Sequence, residues 1–153
     1  MKNLMILLSL TFISVSAFAA NSTEYLAYHT GNGSVNPMYS YRVNCTISSD
    51  GVFIQKIMGD IAEPSKAKLK WTGIRNEAIL QSLISEASSG MVVVPKHPLP
   101  IGGKLATYAT FVKGKEQKPL KTTVGGMLAS INTSAAAKRL VDFIQVNCAS
   151  AMK

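Results

Sequence analysis

Apolar residues recur at every second position through Tyr39, Tyr41, Val43, Cys45 and Ile47, with Ser40, Arg42, Asn44, Thr46 and Ser48 between them. A period of two marks a strand with one buried face, and it turns Cys45 inward. Ser48-Ser49-Asp50-Gly51 is a turn signal and Val52 to Met58 resumes the strand character, which together predict a hairpin. After the loop around Pro64, Ala67, Leu69 and Trp71 alternate with Lys66, Lys68 and Lys70, which predicts a third strand. Its lysines would share the solvent face about 7 Å apart. Trp71 would then lie in the core.

The period changes at Leu80, Leu83, Ile84 and Ala87, whose spacing predicts a helix, with Asn76 as its N-cap and Gly90 beyond its end. Met91 to Val94 is a short β-branched run stopped by the prolines of a loop from Pro95 to Gly103. Leu105 to Val112 and Leu120 to Val124 read as strands around a polar turn at Gly114, and Gly125-Gly126 breaks or bulges the second. Thr133 or Ser134 caps a final helix from Ala135 to about Cys148, with Ala137, Leu140, Val141, Ile144 and Cys148 on its inward stripe. Strands outnumber helices and are joined by short turns. The expected fold is therefore α+β: an antiparallel sheet of five to six strands with two helices packed on one face. Strands followed by a helix occur twice, giving two rough halves without repeated residues.

Domain boundaries follow from the same pattern. Lys2, the apolar run Leu4–Val15 and Ala17-Phe18-Ala19 have the form of a signal peptide over 1–20, cleaved near Ala19 or Ala20. Its apolar core is about a dozen residues, short of the ~20 of a spanning helix, so the expected product is exported, periplasmic or extracellular, and not membrane-embedded. Residues 21–38, rich in Asn, Ser, Gly and Thr, read as a loose N-terminal arm that packs through Tyr25, Leu26 and Tyr28. Residues 39–153 read as a single α+β domain.

Export changes how the two cysteines are read. Cys45 and Cys148 are the only two in the chain, and each points inward from its own element. In an oxidising compartment they are expected to form one structural disulfide, since neither has a neighbouring His to activate a thiolate.

Sixteen Lys and Arg stand against eight Asp and Glu, a formal net charge of +8. That balance favours anionic partners: an acidic protein or an anionic envelope polymer. Three surfaces are candidates. Lys66, Lys68 and Lys70 form the first, although lysines also guard edge strands against aggregation. Lys113, Lys115, Lys118 and Lys121 form the second. The third is the stiff loop from Pro95 to Gly103, where Lys96 and Leu99 project, in the manner of a protease-inhibitor loop. Interleaved aromatics are lacking, which disfavours nucleic acid. His29 and His97 have no metal-ligand spacing around them, no Gly-x-Ser-x-Gly elbow occurs, and the glycine-rich segments lack phosphate-loop spacing. The expectation is a small non-enzymatic binding module without cofactor or metal, or, alternatively, an inhibitor of a secreted hydrolase acting through residues 95–103.

Overall fold

A computed structural model describes residues 22–32, 37–97, 103–112 and 116–152. The proposed signal segment 1–20 lies outside the described residues. The alternating run around Cys45 is a strand, β2 (Tyr41–Ser48), which turns through Ser49-Asp50 into β3 (Gly51–Met58) as predicted. Val43, Cys45 and Ile47 are fully buried, while Asn44 and Thr46 are only partly covered on the other face. Both helices start on the expected caps. The Asn76 Oδ1 accepts from the Ile79 N–H at 3.0 Å and opens α1 (Glu77–Ser88). The Ser134 Oγ accepts from the Ala137 N–H at 3.1 Å and opens α2 (Ala135–Asn147).

The sheet has eight strands, not five to six. One addition is β1 (Glu24–Gly31), in the stretch read as part of a loose arm. It is a central strand, paired with β2 and with β6 (Leu105–Val112), and Tyr25, Leu26 and Tyr28 are buried in it. The other addition is β8 (Met127–Asn132), which returns from β7 (Glu116–Val124). Gly125 and Gly126, with φ of 56° and 83°, form the tight turn between those two strands. Positive φ at two consecutive residues is what a two-residue hairpin turn requires, so this glycine pair joins strands instead of breaking one.

The third strand also moves. It is β4 (Ile61–Ala67), and the alternation from Ala67 to Trp71 falls beyond its end. Every residue of β4 is exposed, so it carries no binary pattern for burial to impose. Pro64, Glu63 and Lys66 are the residues that keep such an edge from pairing with another chain. The short β5 (Val92–Val93) forms the opposite edge, giving the order β4-β3-β2-β1-β6-β7-β8-β5 with all neighbours antiparallel. The two halves of the chain meet at β1 and β6, where Tyr28 lies opposite Tyr108 with ring centroids 5.0 Å apart.

Directly paired residues share a face, so Cys45, Tyr28 and Tyr108 point to the same side. Leu80, Leu83 and Ala87 of α1 and Ala137, Leu140, Phe143 and Ile144 of α2 close over them in one continuous core. The Asn132 side chain joins the helices to the sheet: its Nδ2 donates to the Ala87 carbonyl at 2.7 Å and its Oδ1 accepts from the Ser134 N–H at 3.0 Å. Cys45 and Cys148 are bonded, tying the end of α2 to β2 across 103 residues. Near the other end of the core, the Tyr25 hydroxyl donates to the Glu77 carboxylate in the first turn of α1.

Two predictions follow from these fastenings. Closing a loop of this size stabilises the fold by up to ~4.7 kcal/mol in the chain-entropy account. Reduction should therefore lower the denaturant midpoint with little change in secondary structure before unfolding. The unfolded, unreduced protein should have no titratable thiol, and two thiols would contradict the bond. The second prediction concerns Tyr25. Burial, the hydrogen bond to Glu77 and that carboxylate's charge push its phenol from 10.0 up to about 12. Below pH 10 the phenol is protonated in folded and unfolded chains alike, so its contribution is fully present. Between pH 10 and about 12 only the unfolded chain ionises, and stability should fall over that window. Tyr25→Phe should remove this part of the alkaline decline, and an unchanged decline would contradict the assignment.

Candidate functional site

Between Glu63 and Glu77 the chain carries Lys66, Lys68, Lys70 and Arg75 and no carboxylate. These residues belong to the end of β4 and to the segment that leads from it to α1. Leu69 is half-buried and Ile74 fully buried, so they anchor the segment, while the four cationic side chains remain exposed. Lys68 and Lys70 follow the strand instead of sharing a strand face with Lys66. That corrects the expected regular lysine row.

Three residues of α2, spaced by four, hold the segment in place. Residues four apart on a helix lie one above the other. Arg139 donates from Nη2 to the Gly73 carbonyl at 3.2 Å, Phe143 packs against Trp71 with ring centroids 5.9 Å apart, and Asn147 grips the backbone of Lys70. The Lys70 N–H donates to Asn147 Oδ1 at 2.7 Å, and Asn147 Nδ2 donates both to the Lys70 carbonyl and to the Phe143 carbonyl at 3.1 Å. A tight turn in which the Thr72 N–H donates to the Lys70 carbonyl at 2.9 Å brings Trp71 to its apex.

Trp71 is consequently 42 % exposed, against the expectation that it is buried. Its ring packs at a tilt against the fully buried Phe143, and part of the side chain remains open to solvent. The arrangement is an indole beside Lys70 and the Arg139–Gly73 contact, with Lys68 and Arg75 along the same segment, whereas Lys66, in register with Phe53 and Thr46, turns to the sheet face away from the helices and lines a pocket there with Glu24 and Asp50. None of these five cations is in an ion pair among the described residues. Chemically, such a surface can neutralise several negative charges and offer one flat apolar face. Arg139, Phe143 and Asn147 were not singled out from the sequence. Their i, i+4, i+8 spacing was visible, but only the fold shows which segment the stripe meets.

The other predicted surfaces are arranged differently. Lys118 donates to the Ser88 carbonyl at 3.3 Å and the Lys121 ammonium lies 5.9 Å from the centre of the Tyr108 ring, so both tie sheet residues to the fold. Lys113 and Lys115 lie outside the described residues. Lys96 is exposed just beyond β5, at the sheet edge opposite β4 and Lys66. Leu99, with the rest of 98–102, lies outside the described residues. The structure does not bring Lys96 to the surface around Trp71.

The sheet face away from the helices carries a polar row formed by register: Gln55, Asn44, His29, Thr107, Thr122 and Ser130 are successive cross-strand neighbours. His29 Nδ1 lies 3.0 Å from Asn44 Oδ1, and beside them Arg42, Gly31 and Leu105 line a shallow cavity of about 250 Å³. A groove of about 540 Å³ between α2 and β7–β8 sets Lys121 and Lys138 against Asp142, a mixed field. Among the described residues no group of three His, Cys, Asp or Glu side chains is placed to hold a metal ion. No helix among them is long and apolar enough to cross a membrane.

No protein family matches this chain, and no characterised protein or solved structure is similar to it.

The Asn147 grip makes a prediction. Asn147→Ala leaves the Lys70 amide and carbonyl without their side-chain partners, at an expected cost of ~1–3 kcal/mol. Amide exchange at Lys70 should accelerate by more than that of the sheet amides, which follow only the overall loss of stability. A variant with wild-type stability and exchange would show that the grip does not hold the segment.

Proposed function

We propose that this chain is an exported, non-enzymatic binding module that engages an anionic envelope polymer or acidic partner through the surface formed by Lys68, Lys70, Arg75 and Arg139 around Trp71. The observation that carries this reading is the concentration of unpaired positive charge on a segment whose backbone is fixed. Lys68, Lys70 and Arg75 fall in a stretch without a carboxylate, and α2 adds Arg139. A fixed backbone keeps these cations close to one another, and their summed potential attracts a polyanion. Lys118 and Lys121, by contrast, belong to β7 and contact Ser88 and the Tyr108 ring, apart from this segment. That leaves the surface around Trp71 as the favoured basic face.

Export rests on the N-terminal sequence. The disulfide is compatible with it, as such bonds persist in oxidising compartments.

The test is binding of a polyanion at graded ionic strength. Polyphosphate and polyglutamate should bind in low salt and be released as salt rises, because exposed charges are screened over about 10 Å at 0.1 M. The combined substitution Lys68→Ala and Lys70→Ala should abolish most of that binding while leaving the melting temperature nearly unchanged, since exposed substitutions usually cost within ~0.5 kcal/mol. Removing Lys96 and Lys138 instead should leave binding largely intact. Equal losses from both sets would reduce the effect to net charge and overturn the assignment to this surface.

A further inference from the structure

Trp71 is more than a neighbour of the cations. An exposed indole of this kind usually buries its ring against a core or turns it to a partner. Here one side is already satisfied by Phe143, which is 1 % exposed and cannot yield, so the ring is backed by the core and held at a fixed tilt of 39°. The backbone on either side is fixed as well: Asn147 holds Lys70, and Arg139 holds Gly73. Among the described residues the recorded cation–π contact is made at Tyr108, so no lysine or arginine covers the outer face of Trp71. The exposed part of the indole is therefore not capped by a cation.

A flat apolar face bordered by positive charge suits a ligand that combines a flat apolar patch with negative charge on the same unit. The axial C–H groups of a pyranose ring supply the first and a carboxylate or phosphate on that ring supplies the second. A single-stranded nucleic acid also stacks and carries charge, but its binding surfaces use several aromatics for successive bases. This segment has one. A polypeptide polyanion would use the cations and ignore the ring.

On the strength of the basic-surface reading, we infer that the ligand is an acidic polysaccharide, with one sugar ring stacked on Trp71 and its acidic groups on Lys68, Lys70, Arg75 and Arg139.

Trp71 is the single tryptophan of the chain, so its fluorescence reports this site alone. The intact protein is titrated with oligogalacturonate, with malto-oligosaccharide of equal length as the uncharged ring control, with polyphosphate as an anion without rings, and with oligothymidylate. Oligogalacturonate should shift Trp71 emission in a saturable, salt-sensitive manner. Malto-oligosaccharide should not bind at the same concentrations, and polyphosphate should bind with little change in emission. Titrated by isothermal calorimetry, because the substitution removes the reporter indole, Trp71→Ala should weaken oligogalacturonate by roughly tenfold, the scale of one lost stacking partner, and polyphosphate by less than twofold. Trp71→Phe retains a ring against Phe143 and should recover part of the lost affinity, which separates stacking from folding.

Polyphosphate and oligogalacturonate binding equally, without an emission change, would overturn the polysaccharide inference and leave the basic surface standing. Tighter binding and a larger emission change with oligothymidylate would also overturn it. Failure of every polyanion to bind would remove the basic-surface reading itself.

Discussion

The anchoring of α2 to the middle of the sheet is the constraint on which the rest of the molecule depends. Cys148, at the end of the helix, is bonded to Cys45 on β2, and the inward stripe of α2 fills the core between them. With the helix fixed along its length, Arg139, Phe143 and Asn147 fall into line over the segment that leaves β4. That segment has no strand partner of its own beyond Ala67. Its shape comes from α2. The basic surface therefore inherits its geometry from the disulfide and from the helix it holds.

The sheet plays a quieter part. Its two central strands, β1 and β6, carry the inward Tyr28 and Tyr108, and each half of the chain adds three strands outward from them. Leaving β4 at an edge places Lys66 and the following segment at the margin of the core, where the end of α2 can reach it. An edge position also accounts for Lys66. Charged side chains cost little on an exposed edge, and they protect it from pairing with another chain.

Much of this fold was legible in the sequence wherever burial imposes a period. The strand of Cys45, both helices and both caps follow from alternating or helical spacing, because one face of each element is covered and the other is not. The inward orientation of both cysteines was legible for the same reason. β4 escaped because both of its faces are exposed, so no alternation is selected. β1 escaped for the opposite reason: Tyr25, Leu26, Ala27 and Tyr28 are all buried, which erases the alternation, and polar residues flank the run. β8 was hidden behind Gly125-Gly126, where a turn and a break have the same composition.

At the site, the lysines were legible as residue types, and their setting was not. Local alternation suggested that Trp71 continues a strand into the core. In the fold, the grip of Asn147 on Lys70 and the turn at Thr72 override that alternation and bring the indole to the surface. Such a side-chain clamp joins residues 77 apart in sequence, and nothing local announces it.

The central claim is that the segment from Lys68 to Arg75, backed by α2, is where this protein meets its ligand. A residue-resolved nuclear magnetic resonance titration with oligogalacturonate tests it most directly. The account predicts that the resonances that move are the amides of Lys68, Lys70 and Arg75, the indole of Trp71 and the guanidinium of Arg139. Shifts confined to the polar row around His29, Asn44 and Thr107, or to the edge at Met91 to Val94, would contradict it.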